Sequence, residues 1–589
     1  MSNLEIAKLL RNVATAYVIK DENKFKFQLL AYQKASETIA GLNGELFDYY
    51  RNNKLDLLPG IGPTIKSHLV ELFKTGKVKH FDWVLSKIPK SVYILTEIPT
   101  FGPKKAFRLV NEFELNNPNT VLKDLSSLAR EGKIAKLEGF GQKSQDDIIR
   151  AINEFKMGVG KTTRMTLPYA FETAEKLLEY LRNEKYIEKV EALGSLRRKA
   201  STVGDIDIAI ATKEPKKTIE YFISYPFKER VIEKGDISAS ILVTGGRQID
   251  LLIQPFNAFG SLLQHFTGSK NHNVSLREYA LKKGLSLSEY GIKNLKSKNK
   301  NLKKFSSEES FYKEIGLQWI PPEIREDMGE IELAAHHKLP KLIELKDIKG
   351  DFHIHSNFPI EPSHDLGQSS MEDMLSKAKE LEYEYLGFSE HNPSQSKHTS
   401  EQIYKILLKR NEHIEQLKLT SKNVRVFKLL EVDILPNGSL AIDNRSLDLL
   451  DAVIVSIHSV FNMDREKMTD RILKGLSNKK AKILAHPTGR LLTERNGYDL
   501  DWERIFKFCA ENNKALEINS WPQRLDLPDI LVKSAIDNKV KLVINSDSHA
   551  TDHMNLQKYG VFVARRGWAT KNDIINTMTY NKISEWFKK

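Results

Sequence analysis

The sequence predicts a multidomain protein of mixed α/β and α+β class: a helical N-terminal region, a central domain on a mixed sheet and a C-terminal distorted β/α barrel. Three observations carry this. A length of 589 residues exceeds the comfortable size of one hydrophobic core. The N-terminal part reads as short amphipathic helices joined by glycine-containing turns. From Phe352 to Ala550, strand-like apolar runs alternate with amphipathic helical stretches. The expected units are helical segments 1–85 and 86–160, a sheet domain 161–255, a further subdomain 256–318, a linker 319–348 and a barrel domain 349–589.

In the helical region, Leu58-Pro59-Gly60-Ile61-Gly62-Pro63, Ile98-Pro99-Thr100-Phe101-Gly102-Pro103 and Leu137-Glu138-Gly139-Phe140-Gly141-Gln142 each precede an apolar helix containing basic residues. Taken singly, each is equally an ordinary interhelical turn, and Thr100 departs from the pattern in the second. Together they resemble three helix-hairpin-helix units. That resemblance implies that turns at Gly60, Gly62, Gly102, Gly139 and Gly141 leave helix N-terminal N–H groups free to hold a DNA phosphate, usually with a monovalent cation. Such contacts grip the backbone without reading sequence.

The sheet domain opens on Gly194-Ser195-Leu196-Arg197-Arg198 at a strand end, where N–H groups and a hydroxyl can face a phosphate chain and Arg198 adds charge. In Val203-Gly204-Asp205-Ile206-Asp207-Ile208-Ala209-Ile210, alternation puts Asp205 and Asp207 on one strand face. Asp250 follows on a predicted hairpin, 241–244 and 248–252 around a Gly245-Gly246 turn, whose pairing can set it beside the other two. Three carboxylates on a sheet can hold two divalent ions for phosphoryl transfer. An isolated Asp-x-Asp would read as polar positions on a solvated face.

These motifs look like a nucleotidyltransferase palm. With Phe266-Thr267-Gly268-Ser269-Lys270, Asn273, Arg277 and Glu289-Tyr290-Gly291 downstream, they closely resemble the X-family DNA polymerases. The family implies that Asp205 and Asp207 bind both Mg²⁺ or Mn²⁺ ions, while Asp250 binds the catalytic one and receives the primer hydroxyl proton directly or through solvent. It implies that Gly194, Ser195, Arg198 and Gly204 hold the triphosphate of a dNTP. Phe266, Gly268 and Asn273 would then face its sugar and base, and Arg277 the template strand. His265 stands where vertebrate repair members carry tyrosine, and Lys270 where they carry aspartate, a departure that bears on sugar discrimination. Aligning Gly60-Ile61-Gly62 puts His68 at the position of their Schiff-base lysine, with Lys66 two residues earlier on another helical face. Weak or absent 5′-deoxyribose phosphate lyase activity is therefore expected.

Residues 318–350 join the halves; Pro321-Pro322 stiffen the start, and the remainder is too apolar for a floppy tether. The charged stretch 293–304 reads as a solvated loop near DNA. Beyond the joint, strand-like runs at 385–389, 424–431, 452–458, 482–486, 515–519 and 542–546 enclose amphipathic stretches such as 371–381 and 501–512. At the strand ends stand His353, His355, Asp365, His391, Glu431, His458, His486, Asp547 and His549, where parallel βα barrels put their chemistry. Any one of these histidines is more simply a packed or exposed side chain. As a set, imidazole with carboxylate and no thiolate suits Zn²⁺, Mn²⁺ or Fe²⁺. His-Ile-His and Asp-Ser-His each present two donors on one side of an extended strand.

Gly350-Asp351-Phe352-His353-Ile354-His355-Ser356, Ser389-Glu390-His391, Leu430-Glu431-Val432-Asp433, Ser456-Ile457-His458-Ser459, Ala485-His486-Pro487-Thr488-Gly489-Arg490 and Ser546-Asp547-Ser548-His549 resemble the PHP (polymerase and histidinol phosphatase) domain. That resemblance covers residues 349–589 and implies a trinuclear metal site hydrolysing phosphate esters. Ser389-Glu390-His391 replaces the usual Thr-Asp-His, and 357–367 is longer than the usual Ser-Asp-Gly segment, so His364 competes with Asp365 as ligand. The joint also resembles bacterial X-family members with a C-terminal PHP domain, which extends the likeness over essentially the whole chain.

A net charge of +13, from 90 Lys and Arg against 77 Asp and Glu, suits a polyanionic partner, although a solvated basic surface has the same composition. The single cysteine, Cys509, allows no disulfide within the chain, as expected in a reducing cytoplasm. The first residues lack a signal-peptide core and no run approaches membrane-spanning length, so a cytoplasmic protein without a membrane partner is expected. The reading is a monomeric polymerase that fills short gaps in gapped or nicked double-stranded DNA during base excision repair. Its PHP domain would add 3′–5′ exonuclease, 3′-phosphatase or abasic-site endonuclease activity. The alternatives are a polymerase whose PHP domain is only structural, a PHP phosphatase acting on small molecules, and a DNA-binding protein with both acidic sites inert.

Overall fold

Two apolar cores organise the helical region: one around Ile6, Leu10, Tyr17, Leu69 and Phe81, the other around Leu109, Leu125, Ala129 and Ile148. The computed structural model describes residues 1–589 except 2, 41–45, 52, 59, 99–100, 157–163, 244–246, 298–300 and 421–422. The expected Gly245-Gly246 turn, and Pro59, Pro99 and Thr100 of the first two hairpin motifs, lie outside the described residues.

The central sheet runs in the order Ile187–Ala192, Ile206–Thr212, Arg247–Gln254, Ser238–Val243, Lys228–Lys234. It is mixed: Ile206–Thr212 and Arg247–Gln254 pair in parallel, and the other neighbours are antiparallel. Alternation sorts its side chains. Ile206, Ile208 and Ile210 pack with helix Leu167–Arg182, while Ala209, Ala211 and Leu252 pack with helix Phe259–Thr267. Asp207 belongs to the second set by parity, so it lies at the open end of the face that the Phe259–Thr267 helix covers.

Apolar residues along the joint are packed, while 336–338 and 345–346 are exposed. Ile320, Ile324, Ala334 and Leu342 share a core with Leu276, Phe311 and Trp568, and Ile343 N–H donates to Ala569 O at 2.9 Å. Beyond it, Gly350–Ile354, Tyr385–Phe388 and Arg425–Lys428 form a three-stranded parallel sheet. Glu431–Asp433, Val453–Ser456, Ala481–Leu484, Ala515–Asn519 and Lys541–Asn545 form a five-stranded parallel one. Sequence pattern predicts one strand over 424–431. The structure divides it between the two sheets, because Leu429 turns into one core cluster and Leu430 into another. The barrel closes where His355 N–H donates to Ser548 O at 2.8 Å and Ser548 N–H to His353 O at 3.1 Å. No helix among the described residues is long and apolar enough to cross a membrane.

Candidate active sites

Asp207 and Asp250 are register partners on the two parallel strands. This pairing, rather than the expected hairpin, brings them together: the hairpin exists, but there Asp250 lies opposite Ser240. Asp205 precedes its strand by one residue and is exposed. Burial, followed by the charges of Asp250 and Asp205, pushes Asp207 up to about 6. Such mutual repulsion among oxygen donors is the condition that hard divalent cations relieve, so the residues fit the expected ions. Asp250 is oriented by hydrogen bonds from Ser240 and, at 2.9 Å, from Gln248 Nε2.

The Gly-Ser turn abuts these carboxylates. A Cβ on Gly194 would stand 3.2 Å from Asp207 Oδ2, and the left-handed φ of +56° also favours glycine. Arg198 donates to Thr267 O, and its Nη1 would meet a Cβ on Gly268 at 3.1 Å. Gly194, Ser195, Arg198 and Gly268 are thus assembled at one end of the carboxylate face. Gly204 lies beside Arg164, whose Nη1 would stand 3.3 Å from a Cβ there. Asn273 is held by Gln264 at 2.9 Å and donates to His265 O at 2.7 Å, Phe266 is exposed, and Arg277 Nη2 lies 3.4 Å from His265 Nδ1. Sequence reasoning did not single out the buried network behind this site. Arg197 makes two hydrogen bonds to Glu308, at 2.9 and 2.7 Å, and Arg325 Nη1 reaches the same carboxylate at 2.6 Å. Burial alone would raise Glu308, but Arg325 and Arg197 hold it down at about 2. The doublet Arg197-Arg198 was the available signal, with one arginine turned inward.

In the barrel, all nine expected donors converge. His353 Nε2 lies 3.2 Å from Glu431 Oε2 and 3.5 Å from Asp547 Oδ1; His355 Nε2 lies 3.6 and 3.3 Å from the same two atoms. On the other Glu431 oxygen, Oε1, His486 Nε2 stands at 3.0 Å and His458 Nε2 at 3.5 Å. Asp365 lies 3.3 Å from His391 Nε2 and 3.6 Å from His549 Nε2, and the His549 ring stacks on His355 with centroids 4.1 Å apart. His364 instead meets Asp433 at 3.1 Å, beside His458. Asp365 thus adjoins His391 and His549, while His364 adjoins His458 through Asp433, so both border the expected donor set. His486 and Asp547 hold left-handed backbones, φ +28° and +57°, of the sort that collects at functional sites.

A metal fits this cluster on its unpaired atoms. His353 Nε2, both ring nitrogens of His355, Glu431 Oε2 and His549 Nε2 are buried with no hydrogen-bond partner among the described residues. Leaving such groups unpaired is costly, and cations relieve it. Burial opposes charge on Glu431, but His391, His353 and His458 hold it well below the usual carboxylate range. Behind the donors, His353 Nδ1–H donates to Glu517 and His458 Nδ1–H to Asp433, both at 2.7 Å. These bonds turn each Nε2 lone pair toward the cluster. Glu517 was missed, although a carboxylate inside the apolar strand Ala515–Asn519 was a signal.

Residues 1–78 match the helix-hairpin-helix domain model, 262–326 the DNA polymerase beta thumb and 351–521 the PHP domain. A DNA polymerase/3'-5' exonuclease PolX of Bacillus subtilis (strain 168) is 32% identical over 593 aligned positions, covering 100% of both chains. The chain belongs to the X-family DNA polymerases with a C-terminal PHP domain. DNA polymerase lambda of Rattus norvegicus is 22% identical over 55% of this X-family chain and 56% of its own. Repair DNA polymerase X of African swine fever virus is 29% identical over 26% of this chain and 89% of its own. A member of this family binds DNA, and its polymerase and PHP domains work with divalent metals.

The X-family hairpins repeat one geometry. Ile61 N–H donates to Leu58 O, Phe101 N–H to Ile98 O and Phe140 N–H to Leu137 O. Gly60 and Gly139 take left-handed φ of +72° and +77°, whereas Gly62, Gly102 and Gly141 face open space, with no atom within 4 Å of a would-be Cβ. Gly62 and Gly102 cap the helices Pro63–Thr75 and Pro103–Glu112. His68 accepts or donates to Tyr32 Oη at 2.7 Å and stacks on His80, while Lys66 lies 3.4 Å from Asp56.

Proposed function

We propose that this polymerase fills short gaps in double-stranded DNA during base excision repair and that its PHP domain trims or cleans 3′ ends as a 3′–5′ exonuclease. The observation that carries the reading is the pair of complete donor sets in one chain: three carboxylates beside a phosphate-ready Gly-Ser turn, and nine converging barrel donors. Mg²⁺ or Mn²⁺ held by Asp205, Asp207 and Asp250 supplies neutralisation of phosphate charge. Ser195, Arg198 and the Gly194 and Gly204 backbones hold the dNTP triphosphate; Phe266, Gly268 and Asn273 bound its sugar and base; Arg277 faces the template. The primer 3′-hydroxyl attacks the α-phosphorus in line as the bond to the β-phosphate breaks and pyrophosphate leaves, and Asp250 accepts the hydroxyl proton directly or through solvent.

In the barrel, the donor sets His353/His355/Glu431/Asp547, Glu431/His458/His486 and Asp365/His391/His549 would each hold one Mn²⁺, Zn²⁺ or Fe²⁺. Bound there, the ions supply Lewis acidity toward a phosphodiester. Glu517 and Asp433 keep His353 and His458 in the tautomer that presents Nε2. Gly60, Gly62, Gly102, Gly139 and Gly141 offer backbone sites for DNA phosphates, with a monovalent cation where the family uses one. The protein is read as a cytoplasmic monomer. His68, engaged by Tyr32 and His80, is no Schiff-base nucleophile, so release of 5′-deoxyribose phosphate is weak and unchanged by Lys66→Ala.

Single-nucleotide addition on a one-nucleotide gap and on a recessed primer, with Mn²⁺, tests the gap-filling role. Faster addition in the gap is expected; equal or slower addition there would remove it.

A further inference from the structure

Helix Gln557–Arg566 of the PHP domain lies against the polymerase half along one face. Lys558 and Tyr559 donate to Glu172 at 2.8 and 2.6 Å, and Arg565 donates to Glu323 at 2.8 Å. Phe562 and Phe171 pack on each other with centroids 5.6 Å apart, and Lys199 Nζ lies over both rings, 4.9 and 4.2 Å from their centroids. The spacing 558/559, 562, 565/566 is that of a single helical stripe. The opposite side is anchored in the barrel: Gln557 Nε2 donates to Gly350 O and Ile544 O, and a Cβ on Gly560 would strike Ser520 Oγ at 2.2 Å. This helix follows His549 by eight residues, so it connects the metal-donor strands directly to the other catalytic half.

Its last residue reaches furthest. Arg566 is buried; its Nη1 donates to Arg198 O at 2.8 Å and to Glu326 Oε1 at 3.0 Å, and its Nε donates to Asp529 at 2.7 Å. The same Glu326 Oε1 accepts from Arg198 Nε at 2.9 Å. Arg198 is therefore fixed twice by one PHP side chain: directly at its carbonyl and through Glu326 at its guanidinium. With Nε committed to Glu326 and Nη1 to Thr267 O, Nη2 has no protein acceptor among the described residues. A guanidinium pre-set in this way loses less freedom when it takes up a phosphate.

We propose that Arg566 is a positioning residue of the polymerase site, holding Arg198 ready for the triphosphate, so that nucleotide binding depends on a residue of the PHP domain. This rests on the assignment of Arg198 to the triphosphate. The test is single-turnover and steady-state incorporation of a dNTP by Arg566→Ala, Arg566→Lys, Arg198→Ala and the Arg198→Ala/Arg566→Ala double variant, alongside exonuclease rate and DNA affinity. Losing one charge-assisted hold should raise KM for the dNTP about tenfold in Arg566→Ala. The kcat, DNA affinity and exonuclease rate should stay within about twofold. Arg566→Lys, which can keep Asp529 but not all three acceptors, should fall between, and Arg566→Ala should add nothing in the Arg198→Ala background.

An unchanged KM in Arg566→Ala, or a KM increase that persists undiminished in the Arg198→Ala background, would overturn the inference. So would matched losses of polymerase and exonuclease activity. If Arg198→Ala itself leaves KM unaltered, the triphosphate assignment fails and the inference falls with it. Should Arg566→Ala not fold, Glu326→Gln, which spares the Arg566–Asp529 pair, carries the same expectation and the same criteria.

Discussion

Glu308 illustrates how much one buried carboxylate carries: it is 3% exposed and binds two arginines from different parts of the polymerase half. Glu308→Gln leaves both guanidinium groups without their counter-charge, and removing one partner of a buried pair costs about 3–5 kcal/mol. A lower unfolding midpoint in denaturant should show it. The pH dependence has a defined sign. Because the arginines hold the folded-state carboxyl at about 2, below its ordinary value of 4.5, its stabilisation is complete above the ordinary carboxylate range. It is lost as pH falls through that range toward about 2, and the Gln variant should lack this part of the acid limb. In the barrel, Asp365 and His364 are adjacent yet face different groups. Asp365→Ala should lower both bound metal, by elemental analysis, and exonuclease rate by about 100-fold or more for the latter. His364→Ala should keep its full metal complement; loss of an ion there would reassign the ligand.

The hairpins and the barrel strands differ in how far sequence alone predicts them. Gly62 faces open space at the start of its helix, so Gly62→Glu should leave the unfolding midpoint unchanged while weakening DNA about tenfold at low salt, an effect that fades as salt rises. An unaltered affinity would take that turn out of the DNA interface. Periodicity places the barrel strands within a residue or two, and 515–519 without error, because their burial on both faces leaves continuous apolar runs. It does not find the kink at Leu429-Leu430, where two equally apolar residues enter different cores. The carboxylates Asp205, Asp207 and Asp250 are legible from local pattern, but the parallel pairing that joins Asp207 to Asp250 is not, since sequence suggests the nearer hairpin instead. Glu308, Arg325, Glu326 and Arg566 escape notice for the same reason: each is an ordinary charged residue until a distant segment meets it.

Across the whole molecule, the joint at 319–348 is a packed layer between two catalytic halves, with Ile343 tied to Ala569 and Trp568 buried in the polymerase-side core. The halves nevertheless carry separate clusters of candidate donors, so on the proposed reading their chemistry should separate by mutation. The most direct measurement follows a 5′-labelled primer in a one-nucleotide gap with Mn²⁺, with and without dNTPs, for the natural chain, Asp205→Ala and Asp547→Ala. Two independent sites predict that extension disappears only in Asp205→Ala and shortening only in Asp547→Ala. Shortening that survives Asp547→Ala, or is absent from the natural chain, would contradict an exonuclease in the PHP barrel, and extension that survives Asp205→Ala would contradict the polymerase site.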